Sequence, residues 1–256
     1  MSALLEIRDL VVEYASRGGH TRAVDAVSLD VMHGETLALV GESGSGKTSL
    51  GRAILRLVPA ASGSVRFDGE DVLALGGDAL RHFRRRAQVV FQDPKASLDP
   101  RMCVGDVVRE GIDIHALATR QEANRRVQRL LEEVGLSAAD AGRFPHEFSG
   151  GERQRIAIAR ALAVEPEFLV LDEAVSALDV LVRRQVLDLL GALQAARGLT
   201  YLFIAHDLAV VERIATRVAV MQQGRVVECA PTAALFATPA SGAAQALLAA
   251  IPRIPW

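Results

Sequence analysis

Residues 41–48 read Gly41-Glu42-Ser43-Gly44-Ser45-Gly46-Lys47-Thr48, with Ser49 next in line. A short apolar run, Thr36–Val40, stops at Gly41, which is the pattern of a buried strand. After the glycines a helix is expected from Lys47 to about Leu57, closed by Pro59. Strand, glycine-rich turn and helix start form a phosphate cradle. Glycines let backbone amides turn inward around phosphate oxygens, and the helix N-terminus adds a favourable dipole. Lys47 then offers an ammonium to the β- and γ-phosphates, and Thr48 a hydroxyl to Mg²⁺. This stretch implies binding of a nucleoside triphosphate and an α/β fold around it.

The rest of the composition narrows the class. The chain has 256 residues, half of them hydrophobic and 23 % charged, enough for a sizeable core and wrong for a disordered or fibrous chain. A net charge of −2 does not suit a general nucleic-acid binder. No apolar run approaches the roughly 18 residues of a membrane span. The N-terminus carries Glu6, Arg8 and Asp9 early and has no signal-peptide pattern. Cys103 and Cys229 have no metal-binding or redox spacing. Of 29 basic residues only Lys47 and Lys95 are lysine. Where a chain writes its positive charge almost entirely as arginine, a retained lysine marks a place that needs a compact ammonium.

Along the chain, residues 4–13 and 24–32 read as strands, 64–69 as a strand and turn, and 87–91 as a further strand. From about Asp93 to Val164 the pattern is helical. Ala123, Val127, Leu130, Leu131 and Val134 fall on one face, with Gly135 as a stop. Strand–helix alternation returns with Phe168–Leu171, Leu181–Arg197, Thr200–Ile204, Asp207–Ala215 and Val218–Met221, which argues a parallel sheet covered by helices. The basic run Arg81–Arg86 reads as a solvated face.

A second acidic element follows the phosphate cradle. Phe168-Leu169-Val170-Leu171 ends in Asp172 and Glu173. Asp172, at a buried strand end, suits Mg²⁺, and Glu173 suits orienting and deprotonating an attacking water. A further cradle, Ser149-Gly150-Gly151, opens the helix that contains IAIARAL. It is an anion site without a phosphate loop of its own, which makes sense if it caps a γ-phosphate bound by another subunit.

This order of motifs resembles the ATP-binding cassette family, the ATPase subunits of ABC transporters, over nearly the whole chain. The resemblance implies a RecA-like P-loop NTPase core with a mostly parallel sheet, an N-terminal antiparallel β subdomain and an inserted helical subdomain. Residues 1–92 and 165–256 would form the ATP-binding core and 93–164 the helical part. It also implies roles for individual residues. Tyr14 matches the aromatic that stacks on adenine. Gln92 matches the glutamine that touches Mg²⁺ and the water and moves with a transmembrane partner. Ser176-Ala177-Leu178-Asp179 matches the loop that crosses a dimer interface, and His206 the switch histidine at the γ-phosphate. Phe148, Glu152 and Ala174-Val175 depart from the commoner residues without removing a group expected at phosphate or water.

The segment Phe91-Gln92-Asp93-Pro94-Lys95-Ala96-Ser97-Leu98-Asp99-Pro100-Arg101 is similar to one found in oligopeptide, dipeptide and nickel importers, with Asp99 where Asn is usual. The expected function is therefore ATP hydrolysis energising an importer, with peptides as the leading cargo and nickel or another small solute as the alternative. The expected partners are transmembrane permease subunits, a second cassette, identical or related, and indirectly an extracytoplasmic solute-binding protein. Nucleic acid is not among them. The expected location is peripheral, on the cytoplasmic face of the plasma membrane. A DNA-repair or translation cassette would need a long coiled-coil insertion or two cassettes in one chain, and neither pattern appears. A GTPase would need an Asn-Lys-x-Asp element, and neither lysine follows an asparagine. The segment around Gln92 argues against an exporter.

Overall fold

The computed structural model describes residues 2–16 and 19–250. The chain forms two compact units, one running through Phe83 and resuming at Thr200, the other spanning Arg84–Leu199. The fold is α/β, with parallel strands in both units and an antiparallel β subdomain in the first.

In the first unit, β1 (Ala3–Ser16) and β2 (Gly19–Met32) are long antiparallel partners, and β4 (Ser62–Phe67) and β5 (Glu70–Asp71) extend them in the order β2-β1-β4-β5. The register slips between Ile7 and Leu10, where Asp9 takes a left-handed backbone, φ 49°. Ile7, Leu10, Val12, Val24 and Val31 are buried along this pair.

A second group of strands in the same unit centres on β3 (Thr36–Val40), buried at every position. It pairs in parallel with β8 (Thr200–Ile204) on one side and β9 (Arg217–Gln222) on the other, and β10 (Arg225–Pro231) adds antiparallel to β9. Continuous apolar runs such as TLALV and YLFI are what a strand covered on both faces requires. Helix α1 (Lys47–Ile54) follows β3. It ends three residues earlier than its pattern suggests, because Arg56 adopts φ 55° and the Leu57 amide donates back to the Arg52 carbonyl at 2.8 Å.

Helix α2 (Gly77–Arg86), which the basic run concealed, forms because Phe83 buries itself edge-on against Phe67, ring centroids 5.4 Å apart. The strand β10 and the short helices α9 (Thr232–Ala237) and α10 (Gly242–Ala249) were likewise unread. β10 has no buried residue and the two helices are rich in alanine, so no apolar stripe announces them.

The second unit pairs β6 (Ala87–Val90) in parallel with β7 (Phe168–Asp172). Between them in sequence lie α3 (Pro94–Ser97), α4 (Val104–Ile114), α5 (Arg120–Glu133) and α6 (Gly150–Leu162), and α7 (Val180–Arg197) follows. The stripe Ala123, Val127, Leu130, Leu131 and Val134 is buried, and Gly135 at φ 79° stops α5. Thr119 and Glu122 close its N-terminus reciprocally. Among the described residues no helix is long and apolar enough to cross a membrane.

Candidate active site

The sequence-predicted residues divide between the two units. Tyr14, Gly41 to Ser49 and His206 belong to the first, and Gln92, Ser149 to Gly151, Asp172, Glu173 and Asp179 to the second.

In the first unit the loop after β3 is held by its glycines. Gly41, Gly44 and Gly46 have φ of 153°, 78° and 104°. A Cβ on Gly41 would lie 2.1 Å from the Met221 carbonyl oxygen, and one on Gly46 2.0 Å from that of Ala23. The loop therefore presses against backbone on both sides, which only glycine allows. Glu42, Ser43 and Gly44 are exposed, while Ser45 and Lys47 are buried. Lys47 is 5 % exposed, and its Nζ donates to the Gly41 and Glu42 carbonyls at 2.8 Å each and to Ser45 Oγ at 3.3 Å. A buried ammonium is tolerated because oxygens satisfy it. Those oxygens hold the charge at the loop it closes, where a phosphate can compete for it. Thr48 and Ser49, half-buried, open α1, and Tyr14 Oη donates to Ser49 Oγ at 3.3 Å, which brings the exposed aromatic of β1 to the start of that helix. His206 is exposed just beyond β8. Since β8 is the parallel neighbour of β3, with the Ala205 amide donating to the Leu39 carbonyl, His206 and the glycine loop leave the same end of the paired strands.

In the second unit, Val90 pairs with Leu171, so Gln92 and the Asp172–Glu173 pair also leave one strand edge together. Asp172 is 6 % exposed at the end of β7. Glu173 is half-buried with φ 50°, a left-handed conformation costing a non-glycine residue roughly 1–2 kcal/mol. It is pinned there: the Ser176 amide and Oγ both donate to its carbonyl, at 3.0 and 2.9 Å, and Gln92 Nε2 reaches Ser176 Oγ at 3.5 Å. Glu173 therefore leaves the strand in a strained turn held by its own carbonyl.

Ser149 caps α6. Its Oγ accepts from the Glu152 amide at 3.3 Å while the Glu152 carboxylate accepts from the Ser149 amide at 2.8 Å. Bonding to Ser149 holds the Glu152 carboxyl below its ordinary range. Glu152 thus keeps the capping geometry that a glutamine would also give. A Cβ on Gly151 would meet Val182 Cγ1 at 2.3 Å, so the cradle packs on α7, whose cap is Asp179, accepting from the Val182 amide at 3.0 Å. Sequence reading missed the arginines that hold these loops. Arg183 Nη2 donates to the Leu178 and Ser176 carbonyls at 3.1 and 3.5 Å, and Arg153 Nη1 to the Phe148 carbonyl at 2.7 Å. In so arginine-rich a chain, no sequence signal distinguished them.

The sequence profile described as ABC transporter matches residues 24–176, a span that takes in the glycine loop, Gln92, the Ser149 cradle and the acidic pair. The chain belongs to the ABC transporter family. This ABC transporter ATPase binds ATP and couples its hydrolysis to transport. It is 52 % identical over 97 % of its length to the oligopeptide transport ATP-binding protein OppF of Bacillus subtilis, covering 82 % of that protein. It is 50 % identical, again over 97 %, to a putative peptide import ATP-binding protein of Brucella ovis, covering 78 % of it. A solved structure of the ATP-binding cassette MJ0796, dimeric, in a post-hydrolysis state and bound to ADP and Pi, matches with a TM-score of 0.81 at 27 % identity over 89 % of this chain and 98 % of that one. A second, cbiO1 from Clostridium perfringens, part of an ABC transporter complex, gives 0.80 at 27 % over 93 % of this chain and 92 % of that one.

Proposed function

We propose that this chain is the ATP-hydrolysing subunit of a peptide importer, peripheral on the cytoplasmic face of the membrane, attached to separate permease subunits and fed by an extracytoplasmic peptide-binding protein. The observation that carries the reading is identity of half or more, along almost the whole chain, to relatives whose names specify oligopeptide transport and peptide import. Two cassettes, identical or related, pair so that the Ser149-Gly150-Gly151 cradle of one faces the γ-phosphate held by the glycine loop of the other. The dimeric state of the MJ0796 cassette supports this pairing.

Within the site the roles follow from chemistry. Backbone amides of Gly41 to Thr48 and the Lys47 ammonium neutralise the phosphates, and Tyr14 stacks on adenine. Glu173 accepts a proton from the attacking water, Gln92 and His206 fix that water and the γ-phosphate, and Asp179 keeps the interface loop in register. Thr48, Gln92 and Asp172 offer hydroxyl, amide and carboxylate oxygens, a hard donor set that suits Mg²⁺ when phosphate oxygens complete the shell. Among the described residues there is no cluster of three or more His, Cys, Asp or Glu that could hold a metal ion. When bound, Mg²⁺ supplies charge neutralisation at the β- and γ-oxygens.

The test is reconstitution of the cassette with its permease subunits. ATP turnover should rise when the cognate binding protein is loaded with short peptides and stay basal with nickel. Stimulation by a metal ion alone, with peptides inert, would overturn the peptide assignment.

A further inference from the structure

A cavity of about 320 Å³ lies in the second unit beside the starts of β6 and β7, lined by Arg126, Arg129, Leu130, Glu133, Glu165 and Arg197. None of these belongs to the nucleotide machinery. Arg126 and Arg129 stand one turn apart on α5 and Arg197 is the last residue of α7. We propose that this cavity is a binding site for a compact phosphate polyanion of the size of pyrophosphate.

The lining carries more positive than negative charge, three guanidinium groups to two carboxylates. Glu133 is occupied by a two-pronged pair with Arg197, Nε to Oε1 at 2.7 Å and Nη2 to Oε2. Glu165, held out by a left-handed φ of 56°, is shared between Arg126 at 2.8 Å and Arg85 at 3.8 Å. The Arg129 side chain makes no hydrogen bond or ion pair among the described residues. Three guanidinium groups of the lining thus face two carboxylates, one of which Arg85 also approaches from outside the lining. Arg126 Nη2 is buried yet has no aligned hydrogen bond, because its approach to Glu165 is close but off the N–H direction. Burial, followed by the charges of Arg197, Arg85 and Arg129, pulls the Arg126 pKa down against the attraction of Glu165. An anion seated here offsets the positive charge that Arg126, Arg129 and Arg197 hold in excess of the two carboxylates.

Three forks converging from two helices match the several oxygens of a phosphate better than a single carboxylate. The volume is at the small end for ligand sites, about 300 Å³ and upward, which fits a two-phosphate ion. Only six residues form the lining, so a compact ion suits it better than an extended nucleic acid or a lipid surface.

Isothermal titration of the full chain with inorganic pyrophosphate, with the nucleotide site saturated by a non-hydrolysable ATP analogue, tests this. Binding should persist there and in Lys47→Ala, weaken about tenfold in Arg129→Ala and be abolished in Arg129→Glu. Arg129 is exposed, so both variants should keep the wild-type circular dichroism spectrum. Arg126→Gln should weaken binding as Arg129→Ala does. Absence of binding, its loss when the analogue is present, or indifference to Arg129→Glu would overturn the assignment. So would Arg129-dependent co-sedimentation with phosphatidylglycerol vesicles in a protein that ignores pyrophosphate.

Discussion

The Lys47 ammonium sits buried among three protein oxygens, with two of its bonds made to carbonyls of the very turn that would cradle phosphate. A compact ammonium reaches those oxygens as a point charge, which a bulkier planar fork does not reproduce. Lys47→Ala should therefore lose ATP affinity, and Lys47→Arg should fail as well despite keeping the charge. Titration with a non-hydrolysable analogue reads both, and unchanged affinity in either would refute the role. Glu173, pinned in its left-handed turn, separates binding from chemistry. Glu173→Gln should bind ATP normally and turn it over at least about 10²-fold more slowly, because an amide accepts no proton in that step. Tyr14→Ala should weaken ATP binding by roughly 1–2 kcal/mol through lost stacking, while Tyr14→Phe, which sacrifices only the bond to Ser49, should stay near wild type. Steady-state KM against kcat distinguishes these, since saturated turnover should be unmoved.

At the scale of the elements, the glycines of the phosphate loop are not equivalent. Gly46→Ala drives a Cβ into the Ala23 carbonyl, and neither backbone can yield without disturbing β2 or α1, so stability should fall by at least about 2 kcal/mol. Gly44→Ala meets nothing within 4 Å and should cost about 1 kcal/mol, the left-handed penalty alone. Urea denaturation of the two variants gives the comparison. The same contrast shows what the sequence discloses. The loop, β3, β7 and β8 were legible because buried parallel strands are unbroken apolar runs and the cradle has a fixed spacing of glycines. Helix α2 was hidden by its own arginines, with one buried residue, Phe83, to anchor it. The clamp of Arg183 on the Ser176–Asp179 loop was hidden for another reason: a contact between a side chain and a backbone carbonyl leaves no periodicity. Roles for Tyr14 and His206 came from resemblance, because one aromatic or one histidine has no pattern of its own.

At the scale of the whole molecule, each chain has one phosphate loop and one cradle at Ser149-Gly150-Gly151, and the proposal is that they serve different sites of a pair. Lys47→Ala keeps the cradle and loses the loop. Ser149→Arg keeps the loop and blocks the cradle with a side chain on an exposed cap. The most direct measurement is ATP turnover by the two variants, alone and mixed at equal concentration, with self-pairing of the wild-type chain established by sedimentation. Each variant alone should be nearly inactive, and the mixture should recover part of wild-type turnover through pairs that contain one intact loop facing one intact cradle. Full activity from Ser149→Arg alone, or no recovery in a mixture that demonstrably pairs, would contradict the account.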